Sequence, residues 1–312
     1  MPLADAPARD TPARSPSPAA PSSSRVRSVS LVGGALLIVA GLALWRAPAL
    51  NEALFHAVNA LGPAGAAAWS SLSVAGLGLS AWIYMSAFAQ GRPQRVARLL
   101  WILVVGGILI HYIKHGMATP RPLLALGEGH LNVIGEALRT QSMPSGHSAM
   151  AFAMLALLLV ERRQDAAGAD SAAARLSFSL PGRLGWAALA LGIALSRVAV
   201  GAHWPADALF GAGLGLLFGA LAPHAWPVAA LTALLARPAG QRLMAIGLVA
   251  CALSIGATPT LLGALGLAHS TLDKRLATGY PLAEPLQWFL VAIALAGAWR
   301  WWRAATAPGG RR

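Results

Sequence analysis

Long apolar segments separated by short polar ones dominate the pattern along the chain. A helix that crosses a bilayer needs about 20 mainly apolar residues. By this rule, with some allowance for length, eight segments are predicted spans: 29–45, 69–88, 99–113, 145–160, 184–200, 206–221, 243–262 and 286–302. The pattern therefore predicts an all-α fold, a polytopic membrane helix bundle.

Two shorter apolar runs and one polar end complete the pattern. Residues 51–65 and 226–236 are each predicted to form a helix that lies in the membrane interface. Residues 1–27 are rich in Pro, Ala and Ser and cannot bury a core, so we expect a disordered cytoplasmic tail. A cleaved signal peptide is the alternative, but the apolar run at 29–45 is long for one and favours an uncleaved first span.

The composition is that of a membrane protein. Of the 312 residues, 56% are hydrophobic and 11% are charged, whereas a soluble domain carries about 25% charged residues. The formal net charge of +13 would indicate a nucleic-acid partner in a soluble protein. Because this chain is predicted to lie in a membrane, we expect the lipid bilayer as its partner and no nucleic acid. The sequence predicts no particular oligomeric state. The single cysteine, Cys251, excludes an intramolecular disulfide bond.

The distribution of basic residues predicts an orientation. If the N-terminus is cytoplasmic, most of the 24 Lys and Arg residues fall on the cytoplasmic side, as the positive-inside rule requires. The basic residues on the other side are Arg46, Lys114, Arg121, Arg139, Arg197, Lys274 and Arg275. We therefore expect a multi-pass protein of the cell inner (cytoplasmic) membrane, with its polar motifs on the periplasmic or extracytoplasmic side.

Three polar motifs interrupt the apolar chain. They read Lys114-x6-Arg121-Pro122, Pro144-Ser145-Gly146-His147 and Ser196-Arg197-x5-His203-x3-Asp207. A single cation at membrane depth is explained by a long side chain that reaches the interface. Three cations with hardly any acidic residues nearby indicate an anion site, and arginine in particular suits phosphate.

The second motif stands where a helix is predicted to begin. The first turn of a helix offers unpaired N–H groups and the positive end of the helix dipole. Ser145 could cap the helix or donate its hydroxyl to a phosphate oxygen, and Gly146 allows that oxygen to approach the backbone. An ordinary capped helix start is the alternative interpretation.

The two histidines are predicted to have different roles. Asp207 follows His203 by four positions, so its carboxylate can orient the ring and leave the other ring nitrogen free to attack phosphorus. His203 is therefore the candidate nucleophile with Asp207 as its partner, and His147 remains as the general acid. Lys114, Arg121 and Arg197, with Ser145 and Gly146, would bind the phosphate. An ion pair that holds two helices together is the alternative for Asp207.

Metal-assisted phosphate chemistry is the competing mechanism. A two-metal site requires several clustered carboxylates, and only Glu128, Glu136 and Asp207 lie near the motifs. His111 and His115 have the spacing of a metal pair but no further ligands, so we interpret them as pore-edge or interfacial residues. The sequence predicts neither a metal nor another cofactor.

The three motifs resemble those of the type 2 phosphatidic acid phosphatase family, which shares its site with glucose-6-phosphatase and the vanadium haloperoxidases. The family pattern K-x6-RP, PSGH and SR-x5-H-x3-D is present without departure, and the resemblance covers residues 55–221. It implies a six-helix phosphatase core and assigns the motif residues the roles described above. We therefore expect a membrane phosphatase core at 28–222 and a C-terminal extension at 223–312, with one interfacial helix and about two transmembrane helices.

The resemblance implies an integral membrane lipid phosphatase that hydrolyses a lipid phosphomonoester or pyrophosphate through a phosphohistidine. The candidate substrates that the resemblance implies are undecaprenyl pyrophosphate, phosphatidylglycerol phosphate and phosphatidic acid. A phosphotransferase that moves phosphate from a lipid pyrophosphate to another lipid, such as lipid A, would use the same intermediate. A non-enzymatic transporter or scaffold is the third possibility, which the loss of a motif residue would favour; none is lost.

Overall fold

A computed structural model of the chain describes residues 23–88, 92–160, 180–266 and 280–307. Within these ranges all the secondary structure is helical, which confirms the all-α fold. The α-helices are α1 (Ser23–Trp45), α2 (Pro48–Asn59), α3 (Ala66–Ala75), α4 (Gly78–Phe88), α5 (Pro93–Trp101), α6 (Gly107–Met117), α7 (Pro122–Leu126), α8 (Gly146–Val160), α9 (Leu180–Ala199), α10 (Pro205–Leu221), α11 (Trp226–Leu235), α12 (Pro238–Gly256), α13 (Pro259–Ala264) and α14 (Glu284–Thr306). A π-helical turn, Ile102–Gly106, joins α5 to α6.

Five described helical stretches are long and apolar enough to cross a membrane: Ser24–Trp45, Pro93–Leu126, Pro205–His224, Pro238–Gly256 and Pro281–Thr306. Counting α3 and α4 together adds a sixth. This number is smaller than the eight spans predicted. The described part of α8 has only 15 residues, and α9 carries Arg183 and Arg197, which lower its hydropathy.

The segment 69–88, predicted as one span, is two helices that meet at an angle of 69°. A bend in a helix frees main-chain carbonyl groups, which need hydrogen-bond donors when no water is available. Ser80 Oγ donates to the carbonyl oxygen of Val74 at 2.6 Å, and the Tyr84 hydroxyl donates to that of Ala75. Two side chains of α4 therefore satisfy the carbonyl groups at the end of α3.

Helix α10 packs against α8 and α1 in the centre of the bundle. A Cβ atom on Gly211 would lie 2.3 Å from the carbonyl oxygen of Ser145, and one on Gly215 would lie 2.2 Å from that of Ala149. Only glycine allows the two backbones to approach so closely, as in small-residue contacts between membrane helices. This contact fixes the start of α8 against α10, where the second and third motifs lie.

The C-terminal helices pack on the rest of the bundle. α12 and α14 pack against each other and against α4, and α11 packs against α5. The indole N–H of Trp301 donates to the carbonyl oxygen of Ser86 at 2.9 Å. A 3₁₀ turn, Pro281–Ala283, contacts α3. The extension predicted at 223–312 is thus in contact with α3, α4 and α5, which belong to the phosphatase core predicted at 28–222.

Two predicted boundaries differ from the structure. Residues 1–22 of the predicted tail lie outside the described residues, whereas residues 23–27 belong to α1. Arginine is a good helix former, so the helix continues past the apolar run through Arg27 and Arg25. The predicted interfacial segments 51–65 and 226–236 correspond to α2 and α11, and the first of these helices ends earlier, at Asn59.

Candidate active site

The three motifs meet at one end of the helix bundle. Their residues lie at helix termini: Lys114 in the last turn of α6, Arg121 directly before α7, Ser145 directly before α8, Arg197 in the last turn of α9, and His203 and Asp207 around the start of α10. The main-chain N–H of Ser145 donates to the carbonyl oxygen of Asp207 at 3.0 Å. This bond joins the second motif directly to the third.

His203 and Asp207 form a buried pair. The Nδ1 atom of His203 lies 3.2 Å from Oδ2 of Asp207, and the two residues are 2% and 1% exposed. The same carboxylate oxygen accepts from the main-chain N–H of Trp204 at 2.8 Å and from Ser142 Oγ at 2.5 Å. The carboxylate therefore caps the first turn of α10 and orients the imidazole at once.

A tight turn delivers His203 from the end of α9. The main-chain N–H of His203 donates to the carbonyl oxygen of Arg197 at 3.0 Å. Gly201 in this turn has φ +78°, and a Cβ there would lie 2.5 Å from the carbonyl oxygen of Asn132. Both the left-handed conformation and the close approach require glycine. The spacing between Arg197 and His203 thus follows from the geometry of the turn.

Arg121 contacts the other nitrogen of the His203 ring. Its Nη1 atom lies 3.2 Å from Nε2 of His203 and donates to the carbonyl oxygen of Ala202 at 2.8 Å. Its Nε atom donates to the carbonyl oxygen of Thr140 at 2.7 Å. A guanidinium only donates, so Nε2 of His203 accepts and Nδ1–H donates to Asp207. This tautomer carries its lone pair on Nε2.

The other two cations are also held by neutral oxygen atoms. Lys114 Nζ donates to the carbonyl oxygens of Gln141 at 2.6 Å and Ser142 at 3.1 Å. Arg197 is 1% exposed, and its Nη1 donates to the hydroxyl of Tyr280 at 2.7 Å. Within the described ranges, Nε of Arg197 is buried and makes no hydrogen bond. These cations therefore keep their charge uncompensated by contact with an acid.

The balance of charge in the site favours an anion. Asp207 is the only acidic residue among the buried side chains that the structure describes, and its carboxylate is hydrogen-bonded to His203. His203 lies in the turn between α9 and α10, outside the helices that could span a membrane. Burial, together with the charges of Arg121, Lys114 and Arg197, lowers the pKa of His203 well below its ordinary value. The ring therefore stays neutral, which is the form that can act as a nucleophile.

The start of α8 presents open space beside Gly146. A Cβ at Gly146 would meet no atom within 4 Å, and first-turn N–H groups have no acceptor within their own helix. Ser145 is fully buried, and its Oγ lies 3.0 Å from Oγ and 3.4 Å from the main-chain nitrogen of Ser148. The hydroxyl of Ser145 thus occupies the capping position, one of its two predicted roles.

His147 lies at the boundary between the polar site and an apolar cavity. Its Nε2 atom is buried and has no hydrogen-bond partner among the described residues. The adjoining cavity has a volume of about 230 Å³, with Gly106, Gly146, Met150 and Phe218 among its lining residues. Gly106 belongs to the π-helical turn, a kind of irregularity that often accompanies functional sites.

The bend between α3 and α4 lies directly beside His147. A Cβ at Gly76 would lie 2.5 Å from Cγ2 of Ile193 and 3.3 Å from Cβ of His147. The break at Gly76 therefore allows His147 and α9 to approach the junction of α3 and α4 closely. This contact could not be predicted from the sequence, because both halves of the bent segment are apolar.

No group of three or more His, Cys, Asp and Glu side chains is placed to hold a metal ion within the described ranges. His111 and His115 have ring centroids 4.1 Å apart, and Nε2 of His115 lies 3.1 Å from Nε2 of Gln141. The histidine pair therefore neighbours the loop that holds Lys114, without a third ligand from the described residues.

The motifs and their spacing did not identify two residues that contact the site, Ser142 and Tyr280. Ser142 lies two positions before Pro144, where a polar residue just ahead of the motif was the only available signal. Tyr280 lies 83 positions after Arg197, in the extension, and no spacing connects the two. Only the folded structure brings Tyr280 to the third motif.

Comparison with known proteins places these motifs in a family. The model of the PAP2 superfamily matches residues 95–231, which include all three motifs. A search of the curated proteins finds no match. The crystal structure of Aquifex aeolicus LpxE is similar at 24% sequence identity and a TM-score of 0.44, over 56% of this chain and 96% of that chain. Residues 95–231, with all three motifs, therefore match the PAP2 superfamily.

Proposed function

We propose that the protein is an integral membrane lipid phosphatase that releases phosphate from a lipid phosphomonoester or pyrophosphate. The observation that carries this proposal is the buried His203–Asp207 pair among three cations that are held by neutral oxygen atoms. A nucleophile with a fixed tautomer and a surplus of positive charge suit attack on a phosphate group. The match of residues 95–231 to the PAP2 superfamily supports phosphatase chemistry.

The first step forms a phosphohistidine. The lone pair on Nε2 of His203 attacks phosphorus, and the bond between phosphorus and the leaving oxygen breaks. His147 donates a proton to that oxygen, so the lipid leaves as a neutral alcohol or a protonated phosphate. Asp207 stabilises the positive charge that develops on the His203 ring. Lys114, Arg121 and Arg197 stabilise the negative charge on the three equatorial oxygens.

The second step releases the phosphate. His147, now neutral, accepts a proton from water as the water oxygen attacks phosphorus. The bond between phosphorus and Nε2 of His203 breaks, and its electron pair returns to the ring. Inorganic phosphate leaves, and His147 is protonated again for the next turnover. Ser145 and Gly146 complete the phosphate site through the hydroxyl group and the first-turn N–H groups of α8.

The cavity beside His147 supports a lipid substrate. An apolar engineered cavity of ~150 Å³ holds a benzene-sized group, so a cavity of about 230 Å³ accepts a short portion of a hydrocarbon chain. His147 lines this cavity, whereas Lys114, Arg121 and Arg197 are not among its lining residues. In this arrangement the hydrocarbon lies on the side of the general acid, where the leaving oxygen must be.

We place the site on the extracytoplasmic side of the inner membrane, with the N-terminus in the cytoplasm, because basic residues favour that topology. The test is a pair of cysteine variants in a Cys251→Ser background. Glu128→Cys, in the exposed loop near the site, should react with a membrane-impermeant thiol reagent in intact cells. Arg237→Cys, exposed on the predicted cytoplasmic side, should react only after lysis; the reverse pattern would overturn the topology.

The decisive activity test is phosphate release by the purified protein in EDTA. The substrates are undecaprenyl pyrophosphate, phosphatidylglycerol phosphate and phosphatidic acid, each with and without lipid A as an acceptor. Release into water identifies a hydrolase, whereas transfer to lipid A identifies a phosphotransferase. Loss of activity on chelation would refute the metal-free mechanism, and no turnover of any substrate would favour a transporter or scaffold.

A further inference from the structure

Tyr280 connects the C-terminal extension to the cations of the site. It lies outside the region that matches the superfamily, residues 95–231, and is 4% exposed. Its hydroxyl accepts a hydrogen bond from Nη1 of Arg197 at 2.7 Å. The guanidinium carbon of Arg197 lies 5.6 Å from the centre of the Tyr280 ring, within the range of a cation–π contact.

Arg197 has few other partners. It is 1% exposed, and its Nε atom makes no hydrogen bond to the described residues. No carboxylate of the described chain lies within 4.0 Å of its nitrogen atoms. A buried guanidinium without acceptors is costly, so the phenol oxygen of Tyr280 both reduces this cost and fixes the direction of Nη1.

The extension holds Tyr280 firmly in place. The next three residues, Pro281–Ala283, form the 3₁₀ turn that packs on α3, and Ala283 is fully buried. α3 in turn contacts α9, where Ser73 Oγ lies 3.1 Å from Ser196 Oγ. Tyr280 and Arg197 are therefore both anchored to α3, which fixes their mutual position.

We propose that Tyr280 is a positioning residue that aims the guanidinium of Arg197 at the bound phosphate and makes the C-terminal extension part of the active site. This inference rests on the proposed phosphatase function. A phenol suits the task because it is a neutral acceptor. A carboxylate in its place would neutralise Arg197 and weaken phosphate binding, whereas the phenol leaves the full positive charge available.

The test compares Tyr280→Phe with the matched control Tyr112→Phe. Phenylalanine keeps the ring over Arg197 and removes only the hydrogen bond, and Tyr112 is 71% exposed. Steady-state phosphate release and inhibition by inorganic phosphate are measured for both. We expect Tyr280→Phe to lower kcat/KM and to weaken phosphate inhibition, each by about 10-fold, the effect of one hydrogen bond to a charged group. Tyr112→Phe should match the wild type.

A double-mutant cycle separates positioning from a general effect on folding. If Tyr280 acts through Arg197, Tyr280→Phe should have almost no further effect in an Arg197→Ala background. An equal fold-loss in both backgrounds would overturn the proposal, as would wild-type values for Tyr280→Phe. Thermal unfolding of each variant shows whether the protein remains folded, and a less stable Tyr280→Phe protein with unchanged phosphate inhibition would also overturn it.

Failure of this inference is distinguishable from failure of the proposed function. If the wild-type protein releases no phosphate from any lipid phosphate, the function itself is wrong. If the wild type turns over and Tyr280→Phe is indistinguishable from Tyr112→Phe, the phosphatase proposal stands and only the role of Tyr280 is wrong.

Discussion

The Nη1 atom of Arg121 lies 3.2 Å from Nε2 of His203, the nitrogen that we propose attacks phosphorus. This hydrogen bond uses the lone pair that the reaction needs. Before Nε2 can attack, Nη1 of Arg121 must therefore release it and donate its hydrogen bond to an oxygen atom of the substrate instead. A phosphate oxygen is a better acceptor for a guanidinium than a neutral ring nitrogen, so substrate binding itself drives the exchange and releases the nucleophile.

Arg121→Ala should lower kcat by about 100-fold, the usual effect of removing one donor from a developing anion. Stability should also fall, because the carbonyl oxygens of Thr140 and Ala202 lose their donor, so activity is compared at a temperature where thermal unfolding shows both variants to be folded. The matched control is Arg139→Ala, which removes an exposed guanidinium paired with Glu128 at 2.5 Å in the same region. Its activity should stay within about twofold of the wild type. Equal losses in both variants would contradict a specific role for Arg121.

Ser142→Ala removes one of the three hydrogen bonds to Oδ2 of Asp207. The carboxylate then holds His203 less firmly, and we expect kcat to fall by about 3- to 10-fold with little change in KM. Ser254→Ala, on an exposed helix position where Oγ donates to a main-chain carbonyl, is the control. A Ser142→Ala enzyme with full activity would show that Ser142 does not position the pair.

The depressed pKa of His203 predicts the acid limb of the pH profile. Burial and the charges of Arg121, Lys114 and Arg197 lower this pKa from the ordinary value of 6.5. The neutral, nucleophilic ring should therefore persist below pH 6.5, and the acid limb of kcat/KM should lie below that pH. Lys114→Gln removes one cation, so the pKa of His203 should rise and the limb should move to higher pH. A shift to lower pH, or the same shift in Arg139→Gln, would contradict this assignment.

The contact between α8 and α10 predicts a cost for any side chain at Gly215. A Cβ there would lie 2.2 Å from the carbonyl oxygen of Ala149. Gly215→Ala should separate the helices, destabilise the protein by ~1–3 kcal/mol and lower activity, because the same contact aligns the second and third motifs. Gly247→Ala is the matched control, since a Cβ at Gly247 would meet nothing within 4 Å. Thermal unfolding in detergent, measured for both variants, checks the difference.

The sequence predicted the parts of the site that lie close together along the chain. The spacing of four between His203 and Asp207 predicted their contact, because α10 begins at Pro205. The apolar runs predicted the all-α fold. The bend within 69–88 could not be predicted from hydropathy, because Gly76 and its neighbours differ little from an ordinary apolar span. At the bend, Gly76 packs against Ile193 and His147, which belong to other helices and cannot be connected to it by local hydropathy.

The spacing within the motifs could not predict contacts between residues that lie far apart in the sequence. The pairing of Arg197 with Tyr280 depends on how the extension packs on α3. The sequence predicted three cations that bind phosphate, but it could not show what holds each cation. The structure shows that neutral oxygens do so, and this preserves the positive charge of the site.

The proposed mechanism requires a covalent phosphohistidine at His203, and this intermediate can be trapped. Wild-type protein is mixed with a lipid phosphate that carries radioactive phosphorus and is then denatured in alkali, where phosphohistidine is stable. We expect label on the peptide that contains His203, loss of that label in acid, and no label in His203→Ala. A protein that releases phosphate without becoming labelled, or that carries the label on a different residue, would contradict the proposed mechanism.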